Sequence, residues 1–154
     1  MTDWDARWMN LAREIAAWSK DPSTKVGCVA VDDGRRLLAI GYNGFPRGVN
    51  DAAARYRDRP VKLLFIEHAE RNLIYNAARC GVSLCESVLY CTFYPCADCA
   101  RGIIQSGISG VVTTEPDWNR LGWRDSFDAS LVMLGEAKIP VRFIKPVDEA
   151  PGVR

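Results

Sequence analysis

The chain has 154 residues, of which 48% are apolar and 25% charged, so it is long enough for one domain with its own core. Its formal net charge of +1 lacks the global basic field of a nucleic-acid binder and favours a small substrate. Six cysteines are too few for a disulfide scaffold, no apolar run approaches membrane length and no signal-like segment precedes the first helical pattern, so a reducing cytoplasm is the expected compartment.

Trp4, Trp8, Leu11, Ile15 and Trp18 recur at helical spacing. They predict an amphipathic helix over 3–19, capped by Thr2 or Asp3, with its tryptophan stripe in the core. Lys20-Asp21-Pro22 ends it. Residues 26–31 and 37–40 flank Asp32-Asp33-Gly34 and read as a β-hairpin. Residues 41–65 have no periodicity and are expected to be mostly loop. A helix near 68–79, a strand near 87–92, a helix near 96–106 and a strand near 110–114 follow. A helix near 125–137 and a strand near 140–145 complete the alternation. Residues 148–154 are expected to form a loose tail, leaving 1–147 as a single domain. Residues 115–127, with Trp118, Trp123 and Phe127, match no motif; three aromatics there point to burial, as a lid or a subunit contact. This order gives a mixed sheet of five strands with helices on both faces. The first two strands pair antiparallel, and the later ones run parallel through right-handed crossovers. Periodicity does not fix the strand order.

The chemistry is concentrated in His68-Ala69-Glu70 and Pro95-Cys96-Ala97-Asp98-Cys99. Cys96 and Cys99 are three apart, which puts both sulfurs on one face of a helical turn. Pro95 suits the start of that helix, whose electropositive first turn favours thiolate over thiol. His68 is the only histidine and opens a second helical pattern, continued by Leu73, Ile74 and Ala77. One imidazole and two thiolates leave a zinc ion an open fourth position, as a catalytic site requires. One zinc per chain is therefore expected. Cys-x-x-Cys alone also fits a structural zinc knuckle or a redox pair. The redox reading leaves His68 and Glu70 without a role. A structural site needs a fourth ligand, from Cys28, Cys80, Cys85 or Cys91. Glu70 reads as the acid–base group, against the alternative of an acid that merely favours a helix N-terminus by about 0.3–1 kcal/mol.

With these motifs the chain resembles the zinc-dependent cytidine deaminase superfamily and, within it, the deoxycytidylate (dCMP) deaminases. The resemblance runs from about Trp4 to Phe143. Besides the zinc motifs, Asp21-Pro22-Ser23-Thr24-Lys25-Val26-Gly27 and Gly41-Tyr42-Asn43-Gly44-Phe45-Pro46 carry it. It implies a three-layer α/β/α fold with strand order 2-1-3-4-5. It also implies zinc-dependent hydrolysis of dCMP to dUMP and ammonia, feeding pyrimidine deoxynucleotide synthesis. In that reaction zinc on His68, Cys96 and Cys99 acidifies water to a pKa of about 7, so that hydroxide attacks C4 of cytosine. Glu70 then takes the water proton, protonates N3 and helps ammonia leave.

The resemblance further implies that Asn43 holds the sugar and that the Ala69 backbone N–H meets the base carbonyl. Asn43-Gly44 has the alternative of being a simple turn. Tyr94, with Phe93, is expected to wall the base. A monophosphate needs cations or a nest of N–H groups. Arg47, Arg55, Arg57, Arg59 and Lys62 face only Asp51 and Asp58 over residues 47–62, and Lys25 is a further candidate. A solvated basic loop is the alternative for that run. Many family members are homohexamers regulated by dCTP and dTTP through the Gly-Tyr-Asn-Gly loop, which is present here. Some hold a second, structural zinc through histidines; with His68 committed, that site cannot exist in the same form. Related substrates left open are 5-methyl-dCMP, another 5-substituted dCMP and dCTP. A nucleic-acid base deaminase or a non-catalytic zinc module are the remaining alternatives.

Overall fold

The computed structural model describes residues 3–144. In chain order these form α1 (Asp3–Ala16), β1 (Gly27–Val31), β2 (Leu37–Tyr42), α2 (Ala53–Arg57), α3 (Arg59–Phe65) and α4 (Ala69–Cys80). They continue with β3 (Val88–Cys91), α5 (Ala97–Gln105), β4 (Gly110–Thr114), α6 (Arg124–Glu136) and β5 (Val141–Ile144). The expected tail over 148–154 and the Thr2 cap lie outside the described residues.

The strands make one sheet of order β2-β1-β3-β4-β5. β1 runs antiparallel to both β2 and β3, while β3, β4 and β5 run parallel. This is the mixed five-stranded arrangement that the resemblance implies. Alternate residues of β1 face opposite layers, as the pleat dictates. Cys28 and Ala30 join Ala69, Leu73, Ala100, Ile103 and Leu134 of α4, α5 and α6 in one core. Val29 and Val31 join Met9, Ala12 and Ile15 of α1 in the other.

Two glycines set how closely the layers approach. A Cβ on Gly27 would lie 2.2 Å from the Ala12 carbonyl oxygen, so the α1 backbone rests directly on β1. A Cβ on Gly41 would lie 2.3 Å from the Ala69 carbonyl oxygen and 2.5 Å from the Leu73 nitrogen. The first turn of α4 is thereby seated on β2. The contact at Gly27 also corrects the tryptophan stripe. Only small or slender side chains fit where helix touches strand, so the buried line is Met9, Ala12, Ile15 and Ala16. The indoles are displaced to the flank: Trp4 and Trp8 stack on each other, and Trp18, past the helix end, is 56% exposed.

A second correction concerns residues 41–65, which contain α2 and α3. Helices of five and seven residues are too short to show two turns of apolar spacing. α3 has the expected start signals, with Asp58 accepting a hydrogen bond from the Val61 N–H and Pro60 in the first turn. Its buried residue is a lysine, Lys62, whereas Leu63, Leu64 and Phe65 are exposed. That inversion hides the helix from a hydrophobicity pattern.

Candidate active site

The hydrogen-bonded pair Gly44 and Glu67 delivers the chain to α4, with N–H donated each way at 3.0 and 2.9 Å. His68 is the N-cap of α4, and Cys96 is the N-cap of α5. Both caps are extended, so their side chains leave the helix axis and turn toward the space between the two N-termini. Cys99, in the first turn of α5, completes the group. Cys96 is thus at the cap itself, one step before the helical turn expected from its spacing to Cys99. His68 Nδ1 lies 3.4 Å from Cys96 Sγ and 3.5 Å from Cys99 Sγ. A tetrahedral zinc with Zn–N near 2.05 Å and Zn–S near 2.3 Å places such atoms about 3.6 Å apart. The three donors fit zinc in kind as well, since thiolate with imidazole is its preferred set.

The electrostatics follow from burial and mutual contact. The Cys99 and His68 side chains beside Cys96 pull its thiol down to about 4. Cys99 is pushed well above the ordinary thiol range by the sulfur of Cys96 and by burial. The metal-free pair therefore holds one negative charge, on Cys96. That charge raises His68. A bound cation supplies the compensation that two thiolates need. Burial raises Glu70 to about 7. Its carboxylate, Cys28 Sγ and Cys91 Sγ all lie within 4.8 Å of one another, so two buried thiols form its floor. A carboxyl group tuned near neutrality exchanges protons in both directions at physiological pH.

Glu70, 3% exposed, closes the inner end of a cavity of about 220 Å³. His68 and Ala69 share that end. Ala69 is the first residue of α4, where a helix leaves its N–H without an intrahelical acceptor. Val26, Ile66, Phe93 and Trp123 supply the apolar walls. The Trp123 indole lies over the His68 ring at 6.3 Å and 25°. At the outer end stand Arg59 and Arg120. The Arg120 guanidinium lies over Phe93 and Trp123, and its Nη2 reaches Thr24 Oγ1 at 3.5 Å.

The cavity brings together His68, Ala69, Glu70, Asn43, Arg59, Lys62 and Phe93 from the residues singled out in the sequence, with Cys96 and Cys99 against His68. Asn43 is held by its neighbours: its Oδ1 accepts from the Val26 N–H at 2.8 Å and its Nδ2 donates to the Thr24 carbonyl at 2.9 Å. Neither Asn43 nor Gly44 has a positive φ, so the simple turn is absent. Lys25, Arg47, Arg55, Arg57 and Tyr94, also expected as contacts, do not line this cavity. Lys25 is exposed and its Nζ reaches the Ala17 carbonyl, because Asn43 fixes the 24–26 backbone with that side chain outward. Arg47 donates to Asn76 Oδ1 in a separate cavity. Tyr94, 1% exposed, packs among Trp118, Phe127 and Phe143 while its neighbour Phe93 takes the wall. Arg55 is drawn to the Asn50 carbonyl and the Phe65 ring. Arg120, Trp123, Asp21 and Ser23 were not assigned to a site by sequence. The available signals were the aromatic density of residues 115–127 for Arg120 and Trp123, and the Asp21–Gly27 segment of the resemblance for Asp21 and Ser23.

Residues 2–115 match the family described as the cytidine and deoxycytidylate deaminase zinc-binding region. An uncharacterized deaminase encoded in the luxG 3′ region of Aliivibrio fischeri is 36% identical over 149 residues, covering 96% of this chain and 97% of its own. A probable deoxycytidylate deaminase of Caenorhabditis elegans is 39% identical, covering 94% and 71%. The crystal structure of the dCMP deaminase of cyanophage S-TIM5 in complex with dCMP and dUMP superposes with a TM-score of 0.72 at 25% identity, covering 94% of this chain and 99% of that one. The chain belongs to the cytidine and deoxycytidylate deaminase family and is a hydrolase acting on a C–N bond. Within that family, its relatives include enzymes named for deoxycytidylate.

Proposed function

We propose that this chain hydrolyses dCMP to dUMP and ammonia, with one zinc ion held by His68, Cys96 and Cys99. The observation that carries the reading is a single cavity with an acid–base carboxyl at its buried end and, at its mouth, two guanidinium groups that face no carboxylate among the described residues. That separation of chemistry matches a nucleoside monophosphate, whose base enters first and whose phosphate stays outermost. Two of the relatives named above carry the name of that substrate, and the cyanophage structure holds dCMP and dUMP.

Zinc in this site supplies a nucleophile by making hydroxide available from water at neutral pH. Glu70 receives one proton from the attacking water and delivers it to N3 of the pyrimidine; it then takes the second proton from the hydroxyl now on C4 and passes it to the 4-amino group, which leaves as ammonia while C4 keeps its oxygen as a carbonyl. The free N–H of Ala69 holds the base carbonyl. Phe93 and Trp123 enclose the ring and keep bulk water from it. Asn43 borders the sugar. Arg59 and Arg120 meet the phosphate, replacing Lys25 and Arg47 in that role.

The wider reading includes a cytoplasmic role in deoxynucleotide supply and a homo-oligomer, hexameric by family resemblance. Effector binding of the dCTP or dTTP type belongs to the second cavity, lined by Tyr42, Phe45, Arg47, Asn72 and Asn76 beside the Gly-Tyr-Asn-Gly loop. No helix among the described residues is long and apolar enough to cross a membrane.

The test is ammonia release on dCMP, 5-methyl-dCMP, deoxycytidine, CMP, dCTP and a cytosine-containing single strand. The proposal expects dCMP to have the highest kcat/KM. Preference for 5-methyl-dCMP, dCTP or the single strand overturns the substrate assignment and leaves the zinc chemistry standing.

A further inference from the structure

Lys62 is a buried cation on the cavity wall. It is the buried residue of α3, and its side chain is only 9% exposed. Burying an ammonium is costly unless it is paired, and Lys62 is paired: Nζ lies 3.0 Å from Asp21 Oδ1 and 2.5 Å from Ser23 Oγ. Asp21 does not need it. That carboxylate already accepts from the Ser23 N–H and the Ser23 hydroxyl, each at 2.8 Å, with the Thr24 N–H at 3.4 Å. It also faces Asn43 Nδ2 at 3.5 Å. If α3 were only a cover, a leucine facing inward would serve it better than a lysine.

An ammonium has three protons, and two are committed to Asp21 and Ser23. The third has no acceptor among the described residues, and Lys62 lines the same cavity as Glu70 and Asn43. Its position along the cavity selects what it meets. Arg59, one helical turn away on α3, is exposed at the mouth, whereas Lys62 is buried. Lys62 is also neutralised by Asp21, so it brings a directed hydrogen bond and little net charge. A phosphate is better served by Arg59 and Arg120. Between a base at Glu70 and a phosphate at the arginines lies the sugar.

We propose that Lys62 is a specificity residue that donates its third N–H to the 3′-hydroxyl of the nucleotide sugar, held in place by Asp21 and Ser23. This rests on the dCMP reading. A site built to hydrogen-bond a hydroxyl rejects the analogue that lacks it, because the buried donor is left unpaired.

The test compares kcat/KM for dCMP and 2′,3′-dideoxy-CMP in wild type, Lys62→Met, Lys62→Arg and the charge-neutral double variant Asp21→Asn/Lys62→Met. Zinc content and thermal midpoint are measured alongside. Wild type should prefer dCMP by about tenfold or more, a change carried by a hydrogen bond to a charged group. Lys62→Met and the double variant should bring that ratio near unity, with the loss falling on dCMP, and Lys62→Arg should restore part of it. A merely structural lysine lowers both substrates alike and leaves the ratio unchanged. A wild-type ratio below twofold, or a wild-type ratio retained in either methionine variant, overturns the proposal. No dCMP turnover by zinc-loaded wild type overturns the substrate reading and this inference together, whereas dCMP turnover with an unchanged ratio overturns this inference alone.

Discussion

At the closed end of the cavity the groups proposed to react are held by the packed core. His68 and Cys96 cap helices that pack into the main core, and Gly41 seats the first turn of α4 against β2. At the mouth, Arg59 comes from a seven-residue helix and Arg120 from a segment between β4 and α6 that lacks regular structure. The acid–base chemistry thus depends on elements that cannot move without disturbing the core. Substrate choice depends on elements that can be exchanged at little cost to the fold. A scaffold of this kind keeps one reaction while its mouth is altered for different nucleotides.

Perturbing the closed end should cost most. His68→Ala or Cys99→Ala should lose zinc and turnover together, measured by elemental analysis and ammonia release. Full zinc occupancy in either variant contradicts the ligand set. Gly41→Ala probes the same end through the backbone. The new methyl would fall on Ala69 and Leu73, so α4 must shift, at a cost of about 1–3 kcal/mol. Because that shift carries His68 and Glu70, kcat should fall more than KM changes; an unaltered kcat breaks the link between sheet and chemistry. At the mouth, Arg59→Ala with Arg120→Ala should raise KM for dCMP about 10–100-fold, the scale of charge-assisted hydrogen bonds, and leave deoxycytidine nearly unchanged. An unchanged KM for dCMP assigns these arginines to solvent, and an equal rise for both substrates assigns them to the ring wall.

The last expected effect is a pH dependence of stability in the metal-free protein. Glu70 is raised to about 7 in the folded chain from 4.5 as an ordinary glutamate. Between those values the folded, metal-free protein keeps a proton that the unfolded chain releases. Stability from this group is therefore present at low pH and lost as pH rises from about 4.5 through 7. Glu70→Gln lacks that loss. In denaturant titrations of the metal-free proteins, the variant should gain on wild type over this window, by up to about 3 kcal/mol. A constant difference from pH 4.5 to 8 contradicts the buried, neutralised carboxyl.

What was readable in the sequence divides along the same line. The clustering of His68, Cys96 and Cys99 beside Glu70 was legible because its spacings are local: two residues from His68 to Glu70 and three from Cys96 to Cys99 are fixed by helix starts. The sheet alternation was legible for the same reason, whereas strand order came only through resemblance. The mouth was not legible. Arg120 meets Thr24 across 96 positions of sequence, a juxtaposition that no local pattern encodes. α3 was hidden because its inward residue is charged and its outward residues are apolar. The tryptophan stripe pointed one step away from the true core line, since the close contact at Gly27 admits alanine and excludes indole.

The most direct test of the account is Glu70→Gln, assayed for zinc per chain and for dUMP formation from dCMP. One zinc per chain, with turnover reduced by about 10²–10⁴-fold or more, is the predicted result, because the ligands remain while the proton carrier is gone. Near-normal dUMP formation with zinc bound would contradict it, since some other group would then have to move the proton.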